Sequence, residues 1–196
     1  MKLDEIIKDE IRRSVAFFLD FTNLKTGSRG FGLTADSTKT PERASIASVG
    51  YALTAWVIAA ESGILPKETA RRITVGTLKT LLFNTSHFKG FFAHFLVTET
   101  GERYGKTEFS TIDTAICLNG VITASAYFHD EEISQLAEAV LERVDWVFLV
   151  FEQDGKALFH MSYNPDRGGS YVTDKPGFIS QWNNASEQRM MYLQAA

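Results

Sequence analysis

One helical pattern occurs twice in the chain, and it limits the folds that the chain can adopt. Ser45 and Thr111 lie 66 residues apart, and each opens a helical segment that is apolar on almost every side. His94 and His160 lie the same 66 residues apart, each in a short aromatic stretch after a more charged helix. Each unit therefore holds a buried helix, a turn, a half-exposed helix and a long loop. Units of this kind bury their apolar faces only against their neighbours.

The alternation of apolar and amphipathic helices predicts two layers. Helices that are apolar all round belong inside, and helices with one charged face belong outside. We predict inner helices near residues 44–61, 111–128 and 184–196, and outer helices near 3–20, 66–83 and 131–149. Short strands are expected only near 88–98 and 156–163, and a central sheet of five or more strands would contradict this interpretation.

Composition narrows the possible functions. The 196 residues suit a single domain over 1–196, and the net charge of −4 argues against a nucleic-acid partner. The only cysteine, Cys117, lies in an apolar run, so we expect a buried thiol and no disulfide framework. No apolar run approaches the roughly eighteen residues of a membrane span. The charged N-terminus does not have the pattern of a signal peptide, but the compartment stays unassigned because a removed export signal would leave no trace.

Cofactor and metal sites are not expected. The sequence contains no phosphate-binding Gly-rich loop, no Ser-His-Asp order and no metal-ligand spacing.

Several segments resemble one bacterial family. They are FFLDFTN and GFGLTAD after the first helix, ASIASVGYALTAWVIAAESGIL, KGFFAHFL, FSTIDTAICLNGVITA, and the C-terminal SEQRMMYLQAA. In this order they resemble bacterial glucoamylase-like proteins, and STIDTA and the final SEQ helix are the most specific pieces. The resemblance implies an all-α fold of the (α/α)6 toroid type with short β-hairpins in its rim loops. It also implies relatives that act on β-1,2-glucans.

The resemblance also implies that the chain is half of a domain. The family domain is about twice as long, so this chain resembles an N-terminal half with about three inner and three outer helices. Half a toroid leaves its two flanks without neighbours, and contiguous apolar patches rarely stay bare on soluble monomers. The apolar residues at these flanks are Ile6, Phe17, Phe18, Met190, Met191, Tyr192 and Leu193. We therefore expect a homodimer or a second chain that carries the missing C-terminal half.

The candidate site follows from the same resemblance, because in an α/α toroid the loops that enter the inner helices share one rim. Carboxylates that act as acid and base, with aromatic rings that stack on sugar C–H groups, suit a glucan. Glu187 is the candidate catalytic residue, as general acid, and the second catalytic carboxylate is expected on the missing half. The candidate substrate-binding residues are Asp36, His94, Asp113, His160, Tyr163 and Trp182. Asp36, Asp113, Trp182 and Glu187 are expected to cluster on the rim.

Structural roles compete with each of these assignments. Glu187 lies three residues after Asn184, so it can be half of a capping box at the start of the last helix. Asp113 can cap the apolar helix in which it lies. His94 and His160 alternate with aromatic residues, so each can be a packed structural side chain. Trp182 can fill the junction of the inner helices. Tyr163 lies in a polar loop, where a solvated turn is the alternative. Three functions stay open: a glycoside hydrolase, a carbohydrate-binding module without turnover, and a helical interaction scaffold.

Overall fold

The computed structural model describes residues 3–166, 175–184 and 186–196, and helices make up about half of the chain. The helices are α1 (Leu3–Phe21), α2 (Ile46–Glu61), α3 (Lys67–Phe83), α4 (Thr111–Phe128), α5 (Glu131–Glu142) and α6 (Arg189–Gln194). A short 3-10 helix at Trp146–Leu149 follows α5. The first five helices begin and end close to the predicted positions at all but one end, the C-terminal end of α5.

The helices form the two predicted layers. Helix α2 packs along α4 in an inner layer, and α3 packs along α5 in an outer layer. Helix α1 joins the outer side of α2. Buried positions occur all round α2 and α4, whereas α3 and α5 bury one face each. The burial of α2, α3, α4 and α5 therefore agrees with the predicted division into inner and outer helices.

The inner helices approach each other at two glycines. A Cβ atom built on Gly50 would lie 2.5 Å from the Ile116 carbonyl oxygen, and one on Gly120 would lie 2.1 Å from the Gly50 carbonyl oxygen. No side chain fits at these distances, so the absence of a Cβ atom at both positions allows the backbones to touch. Cys117 is fully buried at this contact, and burial raises the pKa of its thiol well above the usual range.

Short antiparallel strands close each helical pair. The strands are β1 (Arg43–Ser45), β2 (His87–Phe88), β3 (Phe91–Phe92), β4 (Phe95–Val97), β5 (Phe109–Ser110), β6 (Val150–Gln153), β7 (Lys156–Tyr163) and β8 (Phe178–Gln181). Strand β1, before α2, pairs with β4 after α3, and β5, before α4, pairs with β7 after α5. Each strand pair thus ties together the two ends of one helix–turn–helix unit.

The prediction of strands only near 88–98 and 156–163 was wrong. Strands β1, β5, β6 and β8 lie outside those ranges, although the largest sheet in the described part of the chain has four strands. Strands β1 and β5 are two or three residues long, too short to show an alternating pattern. They form because the residues directly before each inner helix are held by a strand from the following loop.

The last two predicted helices are shorter than expected. Helix α5 ends at Glu142 rather than near residue 149, because the apolar run WVFLVF would place apolar side chains on the wet side of an outer helix. Helix α6 begins at Arg189 rather than at residue 184, with Gln188 before it and no side-chain cap. The capping box predicted for Asn184 and Glu187 is therefore absent from the described residues.

Parts of both flanks are exposed. Ile6 is 44% exposed on α1, and Tyr51 and Ile58 of α2 are 57% and 43% exposed. An apolar groove of about 320 Å³ lies between α1 and α2. At the other flank Leu193 is 82% exposed, whereas Met191, predicted to be exposed, is fully buried against α4. None of the helices in the described ranges is both long enough and apolar enough to span a membrane.

Candidate functional site

The candidate site lies where strands β1 and β5 run into the first turns of α2 and α4. The main-chain N–H of Ile46 donates to the His94 carbonyl at 3.0 Å. The Thr111 hydroxyl, at the start of α4, is 3.2 Å from the His160 carbonyl and 2.7 Å from the Met161 carbonyl. The two histidines of the repeat therefore occupy similar places, each beside the first residue of an inner helix.

His94 lies between two carboxylates. Its Nδ1–H donates to Oε1 of Glu108 at 2.9 Å, and its Nε2 lies 3.7 Å from Oδ1 of Asp113. The other Asp113 oxygen accepts a 2.5 Å hydrogen bond from the Ser110 hydroxyl, which in turn accepts from the Asp113 main-chain N–H. Ser110 is therefore the N-cap of α4, and the Asp113 carboxylate, bound to its hydroxyl, also faces the imidazole.

The charges of this group shift two pKa values. Burial alone would lower the pKa of His94, but the hydrogen bond to Glu108 and the charges of Asp113, Glu108 and Asp36 outweigh it, so the pKa is raised. The hydrogen bond from His94 lowers the pKa of Glu108 to about 2, against the opposing effect of burial. The imidazole is thus favoured as a cation held between anions.

Asp36, in the loop before β1, is linked to His94 through Arg43 and Phe95. Its carboxylate accepts a 3.0 Å hydrogen bond from the Arg43 guanidinium, which also lies 4.4 Å from the centre of the Phe95 ring. The Phe95 ring stacks on His94 with 3.9 Å between ring centres and 18° between ring planes. Asp36 and Asp113, two of the four residues expected to cluster on the rim, therefore both act electrostatically on His94.

Trp182 lies at the start of α4. Its indole N–H donates to the Thr111 hydroxyl at 3.1 Å, and the side chain is half-buried. It borders a cleft of about 300 Å³ between the β6–β7 hairpin and the segment that leads into α6. Amide and aromatic side chains line this cleft on the Trp182 side: Asn183, Asn184, Gln188 and Tyr192.

Glu187 lies in the turn before α6. It is exposed, and within the described residues it makes no hydrogen bond or ion pair. The next residue, Gln188, is buried and lines the cleft beside Trp182. No hydrogen bond or ion pair joins Glu187 to Asp36, Asp113 or Trp182 in the described part of the chain, and its catalytic role stays a prediction.

His160 and Tyr163 are packed as structural side chains. His160 is 1% exposed, donates from Nδ1 to the Ser180 carbonyl at 3.2 Å, and contacts the ring of Phe178. Tyr163 stacks on Phe88 with 4.8 Å between ring centres. Both side chains hold β7 against its neighbours, and burial leaves the His160 ring without access to a sugar. The structure therefore does not support a substrate contact by His160.

Glu108 is the residue of this site that the sequence did not indicate. It directly precedes β5 in a charged loop, where an exposed solvated carboxylate is the usual outcome. The role of Glu108 follows from the pairing of this loop with His94, 14 residues earlier, and no local sequence pattern predicts that pairing.

Comparisons with known proteins yield structural matches alone. No protein-family model matches the chain, and no curated protein matches it in sequence. A Bacteroides uniformis protein provisionally assigned as a glucoamylase matches 99% of the chain with a TM-score of 0.81 and 19% identity. An endo-β-1,2-glucanase from Chitinophaga pinensis, solved with sophorotriose and glucose, matches 100% with a TM-score of 0.75 and 17% identity. A β-1,2-glucanase from Parabacteroides distasonis matches 100% with a TM-score of 0.78 and 17% identity.

The chain shares the fold of these proteins. It spans 46% of the Bacteroides uniformis protein, 47% of the Chitinophaga pinensis enzyme and 28% of the Parabacteroides distasonis enzyme. The chain therefore spans about half the length of the Bacteroides uniformis and Chitinophaga pinensis proteins and less than a third of the Parabacteroides distasonis enzyme. The described residues contain no group of three or more His, Cys, Asp or Glu side chains that could hold a metal ion.

Proposed function

We propose that the chain is the N-terminal half of a glucoamylase-like, carbohydrate-active toroid that binds β-1,2-linked glucan at the start of α2 and α4. The observation that carries the proposal is the meeting of Asp36, His94 and Asp113 at these helix starts, on a chain with the fold of β-1,2-glucanases. The cleft beside Trp182 supports it with aromatic and amide side chains, which suit the C–H faces and hydroxyl groups of a sugar.

The proposed chemistry is acid–base cleavage of a glycosidic bond. Glu187 acts as general acid and protonates the leaving oxygen, while Asp36 and Asp113 accept hydrogen bonds from sugar hydroxyls. An inverting reaction needs a second carboxylate roughly 6.5–9.5 Å away to activate water, and a retaining one needs it about 5–5.5 Å away. The second carboxylate comes from the complementary half of the toroid, so the chain alone binds glucan and hydrolyses it weakly or not at all.

A carbohydrate-binding module without turnover is the second candidate. It is favoured by Glu187, which is exposed and has no hydrogen bond or ion pair with the other site residues in the described ranges. The apolar groove between α1 and α2 is the feature that a helical interaction scaffold would use.

Calorimetric titration of the purified chain with sophorotriose tests the proposal. We expect binding that falls at least about tenfold in Asp113→Asn, because a neutral amide accepts a weaker hydrogen bond than a carboxylate. Asp9→Asn is the matched control, since Asp9 is exposed on α1, pairs with Arg13 of the same helix and should leave binding unchanged. No binding by the wild-type chain, or equal losses in both variants, would contradict the proposal.

Release of reducing sugar from β-1,2-glucan separates the two candidates. The assay uses the chain and the full-length product of its reading frame. Hydrolysis that disappears in Glu187→Gln and survives in Glu138→Gln, an exposed glutamate on α5, indicates a hydrolase. Binding without hydrolysis in either form indicates the binding module.

A further inference from the structure

Glu108 is engaged entirely by the protein. Its main-chain carbonyl accepts from the His94 main-chain N–H at 2.9 Å, and its Oε1 accepts from the His94 ring at 2.9 Å. Its Oε2 accepts from the Thr107 hydroxyl at 3.3 Å. With each carboxylate oxygen accepting a hydrogen bond from the protein, Glu108 is well placed to fix His94.

Two contacts fix the ring of His94, and a third fixes its main chain. Its flat face lies on Phe95 of β4, its Nδ1 edge faces Glu108, and its main-chain carbonyl receives the first N–H of α2. The remaining Nε2 edge then faces Asp113 on α4 at 3.7 Å. A flip of the ring about its Cβ–Cγ bond would break the contact of Nδ1 with Glu108.

We propose that Glu108 is a positioning residue: it holds His94 as a cation whose Nε2–H faces and orients the Asp113 carboxylate for a sugar hydroxyl. The sugar as ligand rests on the proposed function, whereas the link from Glu108 through His94 to Asp113 stands on the geometry of the chain alone.

The charge arrangement explains why the cation is required. Two carboxylates face His94, Glu108 before β5 and Asp113 on α4, and the charge of Asp36 in the loop before β1 also acts on the ring. One guanidinium, that of Arg43 on β1, lies nearby and is bound to Asp36. A neutral His94 that donates from Nδ1 to Glu108 would present the lone pair of Nε2 to the Asp113 carboxylate, which is repulsive. A protonated ring donates from both nitrogens and attracts both carboxylates.

The test compares Glu108→Gln with Glu102→Gln. Glutamine at position 108 can still accept a hydrogen bond from Nδ1 but carries no charge, and Glu102 is an exposed glutamate in the same loop. NMR titration of the histidine ring nitrogens follows the protonation of His94. We expect the His94 midpoint to fall in Glu108→Gln and to stay at the wild-type value in Glu102→Gln.

Titration with sophorotriose at several pH values provides the second readout. In the wild-type chain, binding should weaken as the pH rises through the His94 midpoint, and in Glu108→Gln this weakening should move to lower pH. Between the two midpoints the variant should bind about three- to tenfold more weakly, and at a pH below both midpoints it should approach the wild type. A loss of fold alone would weaken binding equally at all pH values.

Each outcome is decisive for one part of the proposal. An unchanged His94 midpoint in Glu108→Gln, or a pH-independent loss of binding, would overturn the positioning role. A lowered midpoint with no sophorotriose binding by the wild type would overturn the proposed ligand and support the link from Glu108 to His94. If Glu108→Gln does not fold, Glu108→Asp keeps the charge with a shorter reach, and a lowered midpoint in that variant supports the role.

Discussion

The pair formed by His94 and Glu108 makes the stability of the protein depend on pH. The folded-state pKa of His94 is raised, so its contribution is fully present below about pH 6.5 and is lost as the pH rises through the folded pKa. The folded-state pKa of Glu108 is lowered from 4.5 to about 2, so its contribution is present above pH 4.5 and is lost as the pH falls toward 2. The pair therefore stabilises the fold most between pH 4.5 and about pH 6.5.

Urea denaturation across this range measures the contribution. Both side chains are partly exposed, so solvent screening limits the expected effect to about 1 kcal/mol. The free energy of unfolding of the wild type should fall by this amount relative to Glu108→Gln as the pH rises above the His94 midpoint. Parallel pH profiles for the two proteins would contradict the assigned coupling.

Sequence patterns located part of this site at the residue level. Asp36, His94 and Asp113 were found because they lie in loops that lead into apolar helices or at the first turn of one. Glu108 was missed because its partner is 14 residues away and the loop between them shows no periodicity. His160 was a candidate because it lies in a loop expected on the rim, but the loop position does not reveal that its ring is buried.

At the level of elements, the glycine contact between α2 and α4 predicts that replacing a helical glycine by alanine lowers the free energy of unfolding, where an increase is usual. Alanine is favoured over glycine by about 1 kcal/mol inside a helix. Gly120→Ala should nevertheless destabilise the protein by about 1–3 kcal/mol, because the new methyl group meets the Gly50 carbonyl and the helices must separate. Thermal and urea unfolding measure the change.

The control lies on the same helix. Ala126→Ser alters an exposed position near the end of α4 and should change the free energy of unfolding by less than about 0.5 kcal/mol. Stabilisation by Gly120→Ala would show that the two backbones are not in contact.

Arg143 gives a second prediction about elements. Its guanidinium follows α5 and donates to the carbonyls of Leu81 and Leu82 at 3.0 Å each, near the end of α3, and it lies over the ring of Phe92. Arg143→Met should cost about 2–3 kcal/mol, because two helix-end carbonyls lose a charged donor. Arg72→Met, at an exposed position of α3, is the control and should be nearly neutral in urea unfolding.

The elements themselves were predictable to different degrees. The helix boundaries at Lys67 and Phe128 followed from Pro66 and from the length of the apolar run, both of which are local signals. The strands before α2 and α4 were not predicted, because Arg43–Ser45 and Phe109–Ser110 owe their conformation to pairing with β4 and β7. Helix α6 begins at Arg189 and not at the predicted residue 184, because an apolar stretch does not reveal the turn at Glu187 and Gln188.

At the level of the whole molecule, the exposed flanks predict association. The groove between α1 and α2 is bordered by Tyr51 and Ile58, and burial of such apolar area contributes about 25 cal/mol per Å². We expect light scattering at micromolar concentration to give twice the monomer mass of 21.9 kDa. A stable monomer would show that the open flank is tolerated.

A charged substitution identifies the face involved. Ile58→Glu places a carboxylate on the groove and should shift the protein toward monomer. Val147→Glu adds the same charge at a 79% exposed position of the 3-10 helix and should leave the mass unchanged. Equal masses for the two variants would show that the contact between copies does not involve the groove.

The strand pairs that close each helical unit have a consequence for how the molecule opens. Because β1 with β4, and β5 with β7, join the two ends of a unit, neither helix of a unit can detach without breaking its strand pair. Each unit should therefore act as one cooperative subdomain in native-state hydrogen exchange. The amides of α2 and α3 should exchange with one common free energy and those of α4 and α5 with another, while the amides of α1 and α6, which no such strand pair encloses, exchange first.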